Sequence, residues 1–312
     1  MKKNITKALF LLTRNARITT KELARKMHVS QQVASYTVSQ LEKKKEIFSY
    51  TSTIDTVKLG LMHVIVGINI TDFKEKKEIL KYLVEAPGIV EVKEGRQGVD
   101  LIIEYSISNL SHFYKLHSIF MRLFNKAVRK KFIYPVIVRH LFPKNYLSRS
   151  KYYEDIVILG DRPVEVLSDH EMTVLHAFAL DPTATFTSIA KKTNLSAKTI
   201  VSIKQRLEKR NIIREYTATL NVQKLDFKQT STFIRLGNAS IGELSKLIEF
   251  CKVNQFIVKS DKLIGYYDIL VTIESTKRTN VLKEIREQFS VEDYLIVPTA
   301  TTLLKKSLPN DI

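Results

Sequence analysis

Two short segments carry the side chains best suited to recognising another molecule. Ser30, Gln31, Gln32, Ser35, Tyr36, Ser39 and Gln40 offer hydrogen-bond donors and acceptors without net charge, a set that suits base edges and phosphate oxygens. Lys43-Lys44-Lys45 follows as a cationic cluster for phosphate contact, although any helix C-terminus also favours cations. The second segment is more basic: Ser196, Lys198, Thr199, Ser202, Gln205 and Arg206, with Lys209 and Arg210 beyond. Every solvated helix face is polar, so these sets gain meaning only from the elements that carry them.

Those elements repeat. The run from Leu41 to Ile54 is echoed from Leu207 to Leu220, at an offset of 166 residues in a chain of 312. An offset near half the length marks two copies of one module. In the first copy Ile5, Leu9 and Leu12 recur at helical spacing, and Thr19-Thr20-Lys21-Glu22 starts a second helix. A turn at His28-Val29 leads to Ser30, a helix N-cap, and Ala34, Val38 and Leu41 point one face inward. Ile47 to Ile54 alternates and is expected to form the strands of a small wing. The second copy has the same plan: Met172, Leu175 and Phe178, then Thr187 to Lys192, a turn at Asn194-Leu195, and a helix capped by Ser196 with Ile200, Ile203 and Leu207 inside. A short turn before a capped third helix lets that helix lie in a major groove.

Each such unit is followed by another rhythm. Strand Met62–Ile70, helix Lys74–Glu85, strand Ile89–Val92, strand Val99–Tyr105, helix Leu110–Arg129 and strand Phe132–Phe142 spell β-α-β-β-α-β, the ferredoxin-like plan. The second copy reads Thr230–Leu236, Ile241–Val253, Phe256–Lys259, Tyr266–Ile273, a helix from 279 to Phe289, and Tyr294–Leu303. The expected fold class is α+β: two winged helix-turn-helix domains, each followed by a ferredoxin-like domain, in tandem. The expected domains are 1–56, 57–145, a linker at 146–166 with room for a short strand, 167–222 and 223–312.

The run Leu207 to Asn221, with Lys224-Leu225 after it, resembles the signature of the Lrp/AsnC (feast/famine) transcriptional regulators. Gly265-Tyr266-Tyr267-Asp268-Ile269-Leu270 is similar to the family's Gly-x-x-Asp step, and Pro87-Gly88-Ile89-Val90 to its Pro-Gly-Val step. The first copy departs from the pattern: Glu46 stands where an apolar residue is expected, and Gly98 precedes Asp100 by two residues, not three. Family members carry one unit per chain and dimerise through the second domain, so a tandem chain resembles an archaeal-type fused regulator. The resemblance implies duplex DNA as partner, an intrachain pseudo-dimer open to further homo-oligomerisation, and an amino-acid-like effector near Gly265, Tyr267 and Asp268, with Gly98 and Asp100 as a weaker counterpart. Two unlike reading helices imply a target without true palindromy.

Composition agrees. Fifty Lys and Arg against 32 Asp and Glu give a formal charge of +18, beyond what solubility needs and suited to a polyanion. The single Cys251 excludes an intramolecular disulfide and a multi-cysteine metal site. The apolar run Ala8–Leu12 is too short for export and is followed by Arg14 and Arg17, so a cytoplasmic protein off the membrane is expected. His112 and His117, five apart, point to different sides of a helix and make a poor metal pair. Without a phosphate loop, nucleophile elbow or metal-ligand cluster, neither cofactor nor catalysis is expected. Two alternatives stay open: a siroheme-decarboxylase-like tetrapyrrole enzyme of the same layout using His112, His117, Arg122 and His140, and an architectural protein binding DNA without sequence preference.

Overall fold

The computed structural model describes residues 3–148, 151–237, 240–276 and 280–311; residue 279, the expected start of the last helix, lies outside them. The first copy runs α1 (Lys3–Arg14), α2 (Thr20–Met27), α3 (Gln31–Lys43), β1 (Ile47–Ile54), β2 (Met62–Ile70), α4 (Lys76–Glu85), β3 (Ile89–Gly95), β4 (Leu101–Ile107), α5 (Leu110–Leu123) and β5 (Val128–Leu141). After β6 (Ile156–Leu159) the second copy repeats the order as α6 (Asp169–Leu180), α7 (Phe186–Thr193), α8 (Ala197–Lys209), β7 (Ile213–Leu220), β8 (Lys228–Leu236), α9 (Ile241–Val253), β9 (Ile257–Leu263), β10 (Ile269–Ser275), α10 (Val281–Gln288) and β11 (Val291–Lys305).

Local chemistry explains the helix limits. Thr19 caps α2 by accepting from the Glu22 N–H, and His28 ends it in the left-handed region at φ 59°. Asn194 ends α7 in the same way at φ 55°. Helix α5 stops at Leu123 instead of continuing to Arg129. The Ala127 N–H turns back to the Phe124 carbonyl, and Val128 then pairs with Ile70 as the start of β5.

The expected wing is corrected by the pairing of the strands. Each copy supplies a single strand, and β1 pairs antiparallel with β7 of the other copy to form one shared ribbon. Each helical core therefore borrows from its sister: Ala218, Leu220, Val222 and Leu225 complete the first, while Ala16 and Ile54 join the second. Arg17 reinforces the junction. Its guanidinium donates to the Pro182 and Ala184 carbonyls at 2.6 and 2.9 Å and lies 5.1 Å from the ring centroids of Phe178 and Phe186.

The remaining strands form a nine-stranded sheet in the order β2-β4-β3-β11-β8-β10-β9-β5-β6, and β2 also pairs with β5. Eight strands thus close into a barrel with β6 appended. Closure rests on two long strands: β5 leaves β2 of its own copy to pair with β9, and β11 leaves β8 to pair with β3. Outside, Ile79, Leu83, Phe113 and Phe120 cover one flank, and Leu244, Leu247, Cys251 and Ile285 cover the other. Inside, Phe132, Tyr134, Phe233 and Tyr267 meet with Ile65 and Leu270. Phe132 lies 4.9 Å from Tyr134 and 4.8 Å from Phe233, contacts that add about 0.5–1.5 kcal/mol each beyond burial.

Candidate nucleic-acid interface

Helix α3 is seated by Leu41 and Ala34, both fully buried against α1 and α2. That packing turns Gln31, Gln32, Ser35 and Tyr36 outward, with Tyr36 66% exposed, and leaves Ser39 and Gln40 half-buried. An exposed tyrosine beside uncharged amides and hydroxyls can stack on or hydrogen-bond to base edges. Ser30 acts on the helix itself, where its hydroxyl accepts from the Val33 N–H at 3.3 Å and forms a cap worth about 1 kcal/mol. Lys43, Lys44 and Lys45 are all exposed at the end of α3 and in the turn after it, with Lys45 at φ 55°.

Helix α8 is seated in the same way by Ile200, Ile203 and Leu207. Lys198, Ser202, Gln205 and Lys209 face outward. Ser196 is again a cap, accepting from the Thr199 N–H at 3.0 Å, and its hydroxyl also meets that of half-buried Thr199 at 2.8 Å. Two expected contacts are tied elsewhere in this structure. Arg206 is half-exposed but pairs with Glu171 at 3.2 Å and donates to the Ser202 hydroxyl. Arg210 is held more firmly, by Glu165 at 2.5 Å and Glu171 at 3.4 Å. Glu171 is also the partner of Ser168 in a capping box, so Arg210 holds α8 against the start of α6.

The residues expected to hold an effector have structural roles in the barrel. Asp268 accepts from the Leu236 N–H at 2.8 Å, and Asp100 does the same for Ile70 at 2.8 Å; each carboxylate ties off a strand end. Tyr267 is buried among Tyr134 and Phe233. Gly265 has φ 149°, and a Cβ there would stand 2.4 Å from the Tyr134 ring, so glycine is required by packing. Gly98 sits in the left-handed region at φ 73° near Leu295.

The sequence model of the winged helix-turn-helix DNA-binding family matches residues 1–44, which span α1 to α3. The likeness is to this segment alone, which forms the helix-turn-helix α1 to α3. The chain is also 25% identical over 127 residues to an uncharacterized HTH-type transcriptional regulator of Pyrococcus furiosus, a match covering 40% of this chain and 84% of the relative. These two matches agree with the resemblance to Lrp/AsnC regulators read from the sequence. Among solved structures, the siroheme decarboxylase NirDL is similar over 97% of this chain and 92% of its own, at 13% identity and a TM-score of 0.61; a fold is shared. An AsnC family transcriptional regulator of Agrobacterium tumefaciens aligns with 43% of this chain and 91% of its own, at 21% identity and a TM-score of 0.39.

The second helix-turn-helix domain repeats the first element by element but has its own, more cationic face. The histidines that an enzyme would need are dispersed. His117 stacks on Phe113 at 5.2 Å in the outer core of the first flank, and burial, with Lys130 adding to it, pushes its pKa down to about 4. His112 stands on the same helix near Asp311 at 3.9 Å, and Arg122 is exposed. His140 lies on β5, paired to Asp155 at 2.7 Å and stacked on Phe142. Among the described residues no group of three or more His, Cys, Asp or Glu could hold a metal ion, and no helix is long and apolar enough to cross a membrane.

Sequence reasoning missed the buried charges at the mouth of the barrel. Glu104 on β4 meets Arg139 at 2.7 Å and His63 at 2.5 Å, and Arg139 also meets Asp261 at 2.5 Å. Burial alone would raise the Glu104 carboxyl, but Arg139, His63 and Lys259 hold it well below the usual range. The signal was a charge inside an otherwise apolar strand: Glu104 within Leu101–Tyr105, Arg139 after Val136-Ile137-Val138.

Proposed function

We propose that the chain is a sequence-specific, DNA-binding transcriptional regulator, built as a covalent pseudo-dimer and without catalytic activity. One observation carries the reading: two capped helix-turn-helix units, one of them matched by the DNA-binding family, present outward polar helices from a single reciprocally paired scaffold. The family dimer would here be made within one chain. Because α3 offers Gln31, Gln32, Ser35 and Tyr36 while α8 offers Lys198, Ser202 and Gln205, the two half-sites would differ in sequence. The regulator relative in Pyrococcus furiosus supports the same reading. The charge of +18 supplies the electrostatic part of the affinity. A cytoplasmic location and a small effector fit this role.

A second reading rests on the fold shared with NirDL, a siroheme decarboxylase. The dispersal of His112, His117, Arg122 and His140 weighs against it. So does the size of the cavity between the ribbon and the barrel, about 220 Å³, below the ~300–1,000 Å³ that encloses drug-sized ligands. One pair of measurements sets the two against each other. Fluorescence anisotropy with a labelled duplex is expected to give saturable binding at physiological salt, and titration with an iron tetrapyrrole no saturable shift of its Soret band relative to the free compound. Such a shift or tetrapyrrole decarboxylation without duplex binding would reverse the assignment.

A further inference from the structure

The same cavity has a composition that neither reading uses. It lies between the β1/β7 ribbon, which contributes Thr51, Thr53, Glu215, Thr217 and Thr219, and the barrel mouth. Seven lysine and arginine side chains line it against four glutamates. The glutamates are largely taken. Glu91 pairs with Lys93 at 2.7 Å, Glu104 with Arg139, and Glu274 with Lys144 and the Tyr146 hydroxyl, each at 2.5 Å. Burial pushes the Glu215 carboxyl up, against the opposing pull of Thr53 and nearby cations.

Lys305 and Lys306 are the cations left over, and Lys306 donates to the Val84 carbonyl at 3.1 Å, which leaves Lys305. Among the described residues it forms no ion pair within 4.0 Å. Its side chain is exposed, and Lys93, Lys144 and Lys259 line the same cavity. Three further polar atoms of lining residues are buried without partners: the donors Arg139 Nη2 and Thr272 Oγ1, and the acceptor Gln229 Oε1. A net-cationic, partly unsatisfied and partly open space is stabilised by an anion that brings its own acceptors.

We infer that this cavity binds a compact, multiply charged anion bearing carboxylate or phosphate groups, and that occupancy is felt by both reading helices. The volume admits a metabolite smaller than a drug-sized molecule. The ribbon strands that line it follow directly from α3 and α8, and the Glu46 carbonyl at the start of β1 accepts from the Asn221 N–H just beyond β7. An occupant touching Thr51 and Thr217 therefore touches the element joining the two domains. Only this coupling rests on the DNA-binding reading.

The test is calorimetric titration of the full chain with citrate and, separately, pyrophosphate, with chloride holding ionic strength constant. Saturable binding of one equivalent of at least one anion is expected, weakened at least ten-fold in Lys305→Met, and the preferred anion distinguishes a carboxylate ligand from a phosphate one. Thermal unfolding provides the second readout. The anion should raise the Tm of the wild type and leave that of Lys305→Met unchanged, while the variant without anion melts no lower than wild type. Binding of neither anion, or equal binding by the variant, overturns the site. At saturating anion, duplex affinity should change by about five-fold or more in wild type alone; an unchanged affinity overturns the coupling. Calorimetry without DNA decides the site even if duplex binding fails.

Discussion

Thr51 stands directly opposite Thr217 in the shared ribbon, and the two occupy the same position in their respective copies, 166 residues apart. Ser49 faces Thr219 and Thr53 faces Glu215, so each pairing is the mirror of another about the Thr51–Thr217 point. That is the relation a two-fold axis imposes on an isologous contact. The barrel repeats it, with β5 reaching β9 as β11 reaches β3. Thr51→Cys with Thr217→Cys should therefore form an intrachain disulfide on mild oxidation, since Cys251, the only native cysteine, is buried. Monomer-sized protein of altered mobility on non-reducing gels is expected; covalent dimers alone would mean that the ribbon forms between chains.

The two reading helices should act on different ends of one target. Tyr36→Ala and Gln205→Ala are each expected to relax base preference at one end, by about 1–3 kcal/mol per lost base contact. Binding to a panel of singly substituted duplexes checks this. Uniform weakening across all sequences by both variants would remove these side chains from base reading.

Salt dependence separates contacting cations from structural ones. Replacing exposed Lys44 or Lys209 by Ala should flatten the log–log salt slope by about 0.9 per phosphate contact. Arg210→Ala should instead lower the Tm, because it takes one cation from both Glu165 and Glu171 and leaves them with Lys58 and Arg206 alone, with little change in slope. A slope change for Arg210 as large as for Lys209 would show that its ion pairs open on DNA.

His117 gives a pH signature. Its folded pKa, about 4, lies below the ordinary value of about 6.5, so the unfolded chain takes up the proton first as pH falls. The stability of the neutral ring is whole above about 6.5 and is lost progressively toward about 4. His117→Phe should gain stability relative to wild type as pH is lowered from 7 to 5, measured by urea unfolding. Parallel pH profiles would contradict the buried neutral ring.

The charge cluster at the barrel mouth makes a stability prediction. Arg139→Met leaves Glu104 and Asp261 with Lys259 as their remaining common cation, at 4.0 and 3.0 Å, and should cost about 3 kcal/mol, read as a lower urea midpoint. A loss below about 1 kcal/mol would mean that the cluster reorganises freely.

Much of this was legible because the repeat is long and the local signals are strong. Thr19, Ser30 and Ser196 announced helix starts, and the spacing of Ile200, Ile203 and Leu207 gave the inward face of α8. Strand partners were not legible. The alternation of Ile47–Ile54 shows a half-buried strand but carries nothing that names β7 as its neighbour, so a wing within each copy was the local expectation. The interior of the barrel was not legible either: Phe233 and Ile65 face in while Val64, Val66 and Ile68 face the covering helices, a parity fixed only by register. In the Gly-x-x-Asp step, residue types that suit a ligand also suit a strand-end tie, and Asp100 and Asp268 take the second role. Glu104, Arg139 and Asp261 meet across the seam between copies, a contact no local pattern contains.

The most direct measurement is selection of fragments bound by the full chain from a pool of random duplex DNA, followed by sequencing. The expected result is one enriched motif of two unlike half-sites, occupied by a single chain and lost from one half in Tyr36→Ala. Recovery of unselected sequence, or no recovery above background, would contradict sequence-specific regulation by this protein.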